Sequence, residues 1–300
     1  MPSLQRVQKP TTRKGKKILL AKEPKVFEDV KKKLFLTGRK ASEVLRNCSK
    51  DLYKLSKPHA VILSRKNDIL PFENIVPVEN LCRNNDASLF FFSTTNKKRP
   101  NSLTIGRLFD GRLLDMVEFC INDYKSFDQF TASIPAETKP CLVFSGELWE
   151  QSQELAKVKS LLVDVFRGEV IDAVRLQGLE HVIMFTATND NILMRSYQIQ
   201  LKKSSTKLPR VELEDLGPHI DMVLKRTKFA SEDLMKRACR TPQEAKSKPK
   251  KNVSKDALGT THGRIHMGKQ KVGTIQTRKM KGLKKTAAEK RVARKSKKAN

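Results

Sequence analysis

The residues closest to a known catalytic motif are residues 263–269 (GRIHMGK), which match the first seven positions of a phosphate-binding loop. Such a loop needs a buried strand before it to hold it rigid, and a Ser or Thr after its lysine to bind Mg²⁺. Here Gln270 follows the lysine, and the residues before the motif are polar. The segment is therefore interpreted as a Gly- and Lys-rich stretch that lies along RNA, rather than as the site of a nucleotide-cleaving enzyme.

Two further groups of residues have spacings that occur in metal sites or in catalytic sites. His262 and His266 are four residues apart, but no nearby cysteine or acid completes a metal site. Glu147, Glu150 and Glu154 form a row of carboxylates, which is typical of the solvated face of an amphipathic helix rather than of paired catalytic acids. The chain contains no GxSxG, HExxH or GxGxxG motif. The sequence therefore predicts a protein that is not an enzyme and holds no metal or cofactor.

A basic loop between two predicted strands is the strongest candidate binding element. Lys97, Lys98 and Arg99 follow the apolar residues 89–92 (LFFF) and precede residues 103–108 (LTIGRL). Cations held on a rigid hairpin lose less entropy on meeting a phosphate than cations on a flexible tail. We therefore predict that this loop contacts RNA, with an ordinary solvated turn as the alternative.

The charge of the chain is concentrated at its two ends. The formal net charge is +29, and residues 1–40 carry 13 Lys or Arg and 3 acids, while residues 241–300 carry 19 and 3. A near-neutral centre with two basic arms is typical of a nucleic-acid binder, since the arms displace counterions from phosphates. Binding to a membrane surface would need Trp, Phe and Leu on an amphipathic arm, a pattern that these arms lack.

Cysteine usage and the absence of targeting segments indicate the cellular compartment. The five cysteines form no CxxC pair, which favours buried free thiols in a reducing environment. No apolar stretch follows Met1, and no apolar run is long enough to span a bilayer. We expect a soluble intracellular protein, and the basic residues 248–251 and 290–298 would suit nuclear import.

A weak internal repeat indicates two related halves. Residues 182–201 resemble residues 87–108, with Phe185 and Thr186 in the places of Phe92 and Ser93. A period of roughly 80 to 95 residues is too long for a solenoid and favours two half-domains in tandem. Chance similarity between two β segments is the alternative.

Apolar spacing predicts the elements of each half. Helices are predicted at residues 42–57, 114–124, 148–165, after Pro218 and near Leu234; strands at 59–63, 141–144, 170–174, 181–186 and 195–202; and irregular structure at 72–82. The two arms are predicted to be unfolded when free, and residues 282–298 to become helical against a phosphate backbone.

Two motifs resemble the ends of the Brix domain, a family of eukaryotic and archaeal ribosome-assembly factors. They are residues 97–108 (KKRPNSLTIGRL) and 213–226 (LEDLGPHIDMVLKR), and residues 259–270 and 276–285 resemble one branch of that family. The resemblance implies an α/β fold of two pseudo-symmetric half-domains, each similar to the anticodon-binding domain of class II aminoacyl-tRNA synthetases. The expected organisation is a basic arm (1–24), a Brix domain (25–240, with halves of about 25–135 and 136–240) and a basic disordered tail (241–300).

The resemblance also implies a function and partners. It implies a nucleolar, non-enzymatic assembly factor for the large (60S) ribosomal subunit that binds pre-rRNA. Such a factor forms a heterodimer with the regulator of ribosome synthesis protein, and helps to bring 5S rRNA with its two ribosomal proteins into pre-ribosomes. The alternative is a general basic nucleic-acid or chromatin-binding protein.

The candidate RNA-binding residues are cations of the arms, of the basic loop and of the two motifs. They are Arg13, Lys14, Lys16, Lys17, Lys97, Lys98, Arg99, Arg107, Lys225, Arg226, Lys250, Lys251, Arg264, Lys269, Lys271, Arg278, Lys279, Lys284 and Lys285. Two half-domains of three or four strands each would leave unpaired sheet edges. The predicted strand at 195–202, with Tyr197, Ile199 and Leu201 on its apolar side, is the edge at which we expect a partner protein to add a strand.

Overall fold

A computed structural model describes residues 10–22, 29–135, 137–171, 174, 178–204, 209–245, 250–256, 260–265, 267–269 and 284–298. The chain divides into two compact units, residues 1–245 and 246–300. The helices of the first unit are α1 (Arg13–Lys22), α2 (Glu43–Leu55), α3 (Val76–Asn85), α4 (Leu148–Gln151), α5 (Gln153–Phe166) and α6 (Glu232–Ala238). Its strands are β1 (Lys33–Gly38), β2 (Ala60–Asn67), β3 (Leu89–Asn96), β4 (Arg99–Phe109), β5 (Arg112–Lys125), β6 (Cys141–Ser145), β7 (His181–Ala187), β8 (Ile192–Lys202), β9 (Arg210–Asp215) and β10 (His219–Lys228).

The strands of the first unit form one mixed sheet. Their order is β2-β1-β3-β4-β5-β10-β8-β7-β6, and β9 pairs with the second part of β8. β1 is parallel to β2 and β3, β6 is parallel to β7, and the other pairs are antiparallel. Because β10 pairs with β5 from His219 opposite Lys125 to Lys228 opposite Met116, the sheets of the two halves are continuous. The two half-domains, which were expected to have three or four strands each, are therefore joined into one sheet through β5 and β10.

Two segments that were predicted as helices are strands. Residues 114–124 lie in β5, and the residues after Pro218 form β10. In β5, Val117, Phe119 and Ile121 are at most 2% exposed and belong to one core cluster. This alternation of apolar residues fits a strand, while the spacing of 114, 117, 121 and 124 fits a helix equally well. The segment forms a strand because β4 and β10 lie on either side of it and pair with its backbone donors and acceptors.

Some of the other secondary-structure predictions are confirmed and others are wrong. The predicted helices at 42–57 and 148–165 are confirmed as α2, with Ser42 as its N-cap, and as α4 with α5. Gly168, expected at a helix end, follows α5 with a φ of +63°. Residues 72–82, predicted to be irregular, contain most of α3, and residues 170, 171 and 174, predicted to be a strand, are not in one.

Both faces of the sheet's first half are covered by helices. On one face, Phe91 stacks on Phe35 with ring centroids 4.4 Å apart, in a cluster that includes residues of α2 and α5. On the other face, Phe90 packs with Val78 of α3. The apolar run at residues 89–92 is therefore continuous because β3 is buried on both sides.

Short helices lie in both arms, which were predicted to be unfolded. In α1, the Thr12 hydroxyl accepts a hydrogen bond from the Gly15 backbone N–H at 3.0 Å. The second unit contains the antiparallel pair β11 (Val253–Lys255) and β12 (Thr261–Gly263), and α7 (Ala287–Ser296), which begins with a capping box formed by Thr286 and Glu289. The difference from the prediction has a local cause, because capping and good helix formers support α1 and α7 with little burial.

Arg107 of β4 lies in the protein interior, so its predicted contact with RNA is wrong. Its guanidinium donates to the Asp115 carboxylate at 2.8 and 2.7 Å, and to Asp164 of α5 at 2.6 Å. Lys31 also contacts Asp164, at 2.8 Å. Burial alone would lower the pKa of Arg107, but the two carboxylates outweigh it and raise the pKa, so the guanidinium stays charged. Arg107 therefore holds α5 against the first half of the sheet.

His181 of β7 is a buried histidine in the second half of the sheet. It is 2% exposed, and its Nε2 lies 2.8 Å from the Ser196 hydroxyl of β8. Burial lowers the pKa of His181 to about 4 from an ordinary value of 6.5. The native state therefore holds this imidazole in its neutral form.

The stability of the fold is expected to fall between pH 7 and pH 5 because of His181. In this range the unfolded chain gains a proton at His181 and the native chain does not, so acid favours unfolding. We expect a loss of about 2 kcal/mol from this residue. The measurement is urea unfolding of the wild type and of His181→Gln at both pH values. The variant should lose less stability than the wild type, and an equal loss in both proteins would contradict the assignment.

Candidate nucleic-acid interface

The two motifs at residues 97–108 and 213–226 meet on one face of the sheet. The first runs from the β3–β4 turn into β4, the second ends in β10, and β5 lies between these two strands. Ser102 of β4 pairs with Cys120 of β5, and Arg226 of β10 pairs with Glu118 of β5. The start of one motif and the end of the other are therefore held on either side of β5.

Glu118 is the centre of this arrangement. Its carboxylate accepts hydrogen bonds from Arg226 Nε and from the Ser102 hydroxyl, the latter at 2.5 Å, and lies 3.8 Å from Arg99 Nη1. The Glu118 side chain is 3% exposed. Burial alone would raise the pKa of Glu118, but the hydrogen bonds from Arg226 and Ser102 and the charges of Arg226 and Arg99 outweigh it and lower the pKa. Glu118 is therefore ionised at neutral pH and fixes both arginines.

Arg226 is held on a second side by an aromatic ring. Its guanidinium carbon lies 4.0 Å from the centroid of the Phe72 ring, in the segment before α3, which is a cation–π contact. The Arg226 side chain remains 34% exposed. Among the described residues, Glu118 occupies its Nε edge and Phe72 covers its face, which leaves the terminal nitrogens pre-organised for a further contact.

The surface groove at this point is strongly cationic. It has a volume of about 360 Å³ and is lined by residues that include Lys98, Arg99, Lys225 and Arg226, against the single carboxylate of Glu118. Guanidinium and ammonium donors in this density are suited to phosphate oxygens. In the described ranges, no group of three or more His, Cys, Asp or Glu is placed to hold a metal ion. The groove is therefore suited to anion binding.

The structure brings together only part of the predicted RNA-binding set. Lys97 and Lys98 form the exposed β3–β4 turn, while Arg99 is the first, half-buried residue of β4. The cations of α1 and of the second unit that the structure describes are exposed: Arg13, Lys14, Lys16, Lys17, Lys250, Lys251, Arg264, Lys269, Lys284 and Lys285. Lys271, Arg278 and Lys279 lie outside the described residues. The groove thus unites Lys98 and Arg99 of the loop with Lys225 and Arg226.

Glu118, Ser102 and Phe72 were missed by the sequence analysis. Glu118 lies in the segment that was predicted as a helix, where an acid has no evident role. The alternation of Val117, Phe119 and Ile121 would have placed Glu118 on the opposite side of a strand. The contacts of Phe72 and Ser102 join distant parts of the chain, and nothing local indicates them.

The predicted partner-binding strand is paired within the chain along one or both of its sides. Residues 192–198 of β8 pair with β7, and residues 197–202 pair with β9. Residues 197 and 198 are paired on both sides and leave no edge for a partner strand, while residues 200–202 pair with β9 alone. Tyr197, Ile199 and Leu201 instead share one face of the β8–β9 ribbon with Val211 and Leu213. We call these five residues the ribbon face, and within it Leu201, Val211 and Leu213 are 37%, 58% and 55% exposed.

Comparisons with known proteins all assign the chain to the same family. The family model of the Brix domain matches residues 38–226, a span that ends at Arg226 of the groove. The chain is 51% identical over 298 residues to the ribosome production factor 2 homolog of Drosophila melanogaster, covering 99% of this chain and 93% of that protein. It is 45% identical over 264 residues to the Homo sapiens ribosome production factor 2 homolog (88% and 86%). It is 38% identical over 292 residues to ribosome biogenesis protein RPF2 of Saccharomyces cerevisiae (93% and 85%).

Proposed function

Since the chain belongs to the ribosome production factor 2 family of Brix-domain ribosome biogenesis proteins, we propose that it assembles the large (60S) ribosomal subunit without catalysing a reaction. In this role it binds rRNA and helps to bring 5S rRNA, with its two ribosomal proteins, into pre-ribosomes. The site of action is the nucleolus. The relatives' names describe ribosome production and biogenesis and no catalytic activity. None of the helices in the described parts of the chain is long and apolar enough to cross a membrane.

The observation that carries RNA binding is the groove around Glu118. Four cations line it, and two of them are held in place by the same buried carboxylate. A general nucleic-acid or chromatin binder needs only cations on flexible arms, because phosphate contacts carry no sequence information. A fixed constellation on a rigid sheet can instead select the shape of a folded RNA. This favours an assembly factor over the general binder.

The groove predicts a selective loss of RNA binding. Replacing Lys98, Arg99 and Lys225 by alanine is expected to weaken binding to 5S rRNA about tenfold or more, since each removes a phosphate contact. The control replaces Lys236, Arg237 and Arg240, which removes the same charge from exposed positions outside the candidate RNA-binding set. Fluorescence anisotropy with labelled 5S rRNA at physiological salt, competed with random duplex DNA, measures both affinity and preference. Equal losses in the two variants, or an equal affinity for DNA, would favour the general binder.

A protein partner is the second part of the proposal. The side of the β8–β9 ribbon opposite the ribbon face is polar, with Lys202 and Arg210 both paired to Glu212. The ribbon face is apolar and partly exposed. Exposed apolar patches of this kind typically mark interaction sites. We propose that the regulator of ribosome synthesis protein covers the ribbon face in a heterodimer, by packing on it.

Charge on the ribbon face is expected to break the heterodimer. The double variant Val211→Asp with Leu213→Asp should weaken binding at least tenfold, because it would bury two carboxylates against an apolar partner. The control, Glu214→Gln, changes the opposite side of the same strand. Co-expression with the regulator of ribosome synthesis protein and calorimetry of the purified pair provide the measurement. Unimpaired binding of the double variant would place the partner elsewhere.

A further inference from the structure

The carboxyl ends of β1, β2 and β3 lie together at one end of the sheet. β1 is parallel to both of its neighbours, in the order β2-β1-β3, with α2 packed on one face and α3 on the other. After β1 the chain passes through α2 to β2 on one side, and after β3 it turns into β4 on the other side. Neighbouring parallel strands whose connections diverge in this way mark the usual place for a ligand, outside their carboxyl ends.

Both of the diverging connections carry exposed cations. Arg39 and Lys40 follow β1, and Lys97 and Lys98 form the turn after β3. The Thr95 backbone N–H donates a hydrogen bond to the Lys40 carbonyl at 2.6 Å, so the first connection is fixed to the end of β3. The backbone positions of these cations are therefore set by the sheet and not by a flexible arm.

The end of β2 adds two more exposed cations, Arg65 and Lys66. Lys66 pairs in register with Thr37 of β1, and the Arg39 backbone N–H donates to the Asn67 carbonyl at 3.1 Å. Because neighbouring strands lie about 4.8 Å apart, the ends of β2 and β4 are separated by about 14 Å. We call the two cations after β1 and the two at the end of β2 the β1–β2 cations.

The chemistry of this end of the sheet favours a polyanion. The acids nearest in sequence to the β1–β2 cations are Glu43 in the first turn of α2 and Asp68 after β2, both exposed. In the part of the chain that the structure describes, no ion pair joins either acid to these cations. Residues 64–66 (SRK), at the end of β2, are polar and exposed. Protein interfaces are depleted in lysine and depend on aromatic or apolar anchors, so RNA fits this surface better than an acidic protein segment.

We propose that the RNA backbone bound in the groove around Glu118 continues over the carboxyl ends of β3, β1 and β2, where the β1–β2 cations contact its phosphates. Lys98 lines the groove and stands in the turn after β3, so the two surfaces are continuous. A distance of about 14 Å corresponds to roughly four phosphates of a stacked strand. The inference rests on the proposed RNA-binding function and adds four residues that lie outside the groove.

The test measures the affinity of the full chain for labelled 5S rRNA by fluorescence anisotropy over a salt series. Two double variants, Arg39→Gln with Lys40→Gln and Arg65→Gln with Lys66→Gln, should each weaken binding about fivefold. Each should also flatten the slope of log affinity against log salt by about 1.5, because two phosphate contacts are lost. The matched control, Lys236→Gln with Arg237→Gln, removes the same charge from exposed positions of α6 and should change the affinity less than twofold.

A charge-conserving pair separates loss of charge from loss of structure. Arg65→Lys with Lys66→Arg should keep the wild-type slope, since both positions still carry a cation. If the wild type binds and both Gln pairs behave like the control, the extended surface is overturned and RNA binding in the groove stands. If the wild type fails to bind 5S rRNA, both proposals are overturned. A ten-residue polyglutamate peptide is titrated in parallel, and Gln pairs that weaken only the peptide would assign this surface to an acidic protein segment and overturn the RNA assignment.

Discussion

Arg107→Ala is expected to lower the free energy of unfolding by about 3–5 kcal/mol, because it leaves the buried Asp115 carboxylate without its cation. Arg107 is 6% exposed and Asp115 1% exposed, so water does not replace the lost contact. The connection from β4 to α5 through Asp164 is also lost. Burial raises the pKa of Asp115, and without Arg107 this carboxyl is expected to take up a proton. Urea unfolding followed by the fluorescence of Trp149, the single and buried tryptophan, measures the change.

The matched control for this prediction removes both charges. Arg107→Leu combined with Asp115→Leu should recover much of the loss, since no unpaired carboxylate remains at this position and Lys31 still neutralises Asp164. RNA binding should change little in the double variant, because the buried guanidinium reaches no ligand. An Arg107→Ala protein as stable as the wild type, or one with a specific defect in RNA binding and no loss of stability, would contradict the placement of Arg107.

Deleting residues 246–300 is expected to weaken RNA binding by a factor on the order of 10² to 10³ at physiological salt. The segment contains α7, whose Lys290, Arg291, Arg294 and Lys295 stand on an exposed helix. Each phosphate that a cation neutralises adds about 0.7 to 0.9 to the slope of log affinity against log salt. If the tail engages about five phosphates, the deletion should flatten the slope by about four. Anisotropy with 5S rRNA across a salt series gives this slope.

The control for the deletion is duplex DNA measured over the same salt series. If the tail contacts phosphates and not bases, DNA should lose affinity by a similar factor, and the ratio of RNA to DNA affinity should be kept. An unchanged salt slope would mean that the tail does not bind phosphate. A loss confined to RNA would mean that the tail also reads its shape.

The sequence alone determined the elements that depend on local signals such as apolar spacing, helix caps and turns. The helix α2 follows from its apolar spacing and from Ser42 at its N-cap, and the β3–β4 hairpin follows from two apolar runs around a basic turn. The membership of the Brix family was also predictable, because residues 97–108 and 213–226 carry its motifs. The charge of the arms depends on composition alone.

The tertiary structure decided the other elements and the site, because there the hydrogen-bond and charge partners of a residue lie far from it in the chain. Residues 114–124 and 219–228 are strands because each lies beside the other, and the apolar spacing of either segment alone fits two periods. Arg107 belongs to a motif that suggested RNA, yet it is paired inside because Asp115 and Asp164 reach it from β5 and α5. Arg99 and Arg226 form one site only because β5 places Glu118 between their strands, and no property of either motif alone indicates that contact.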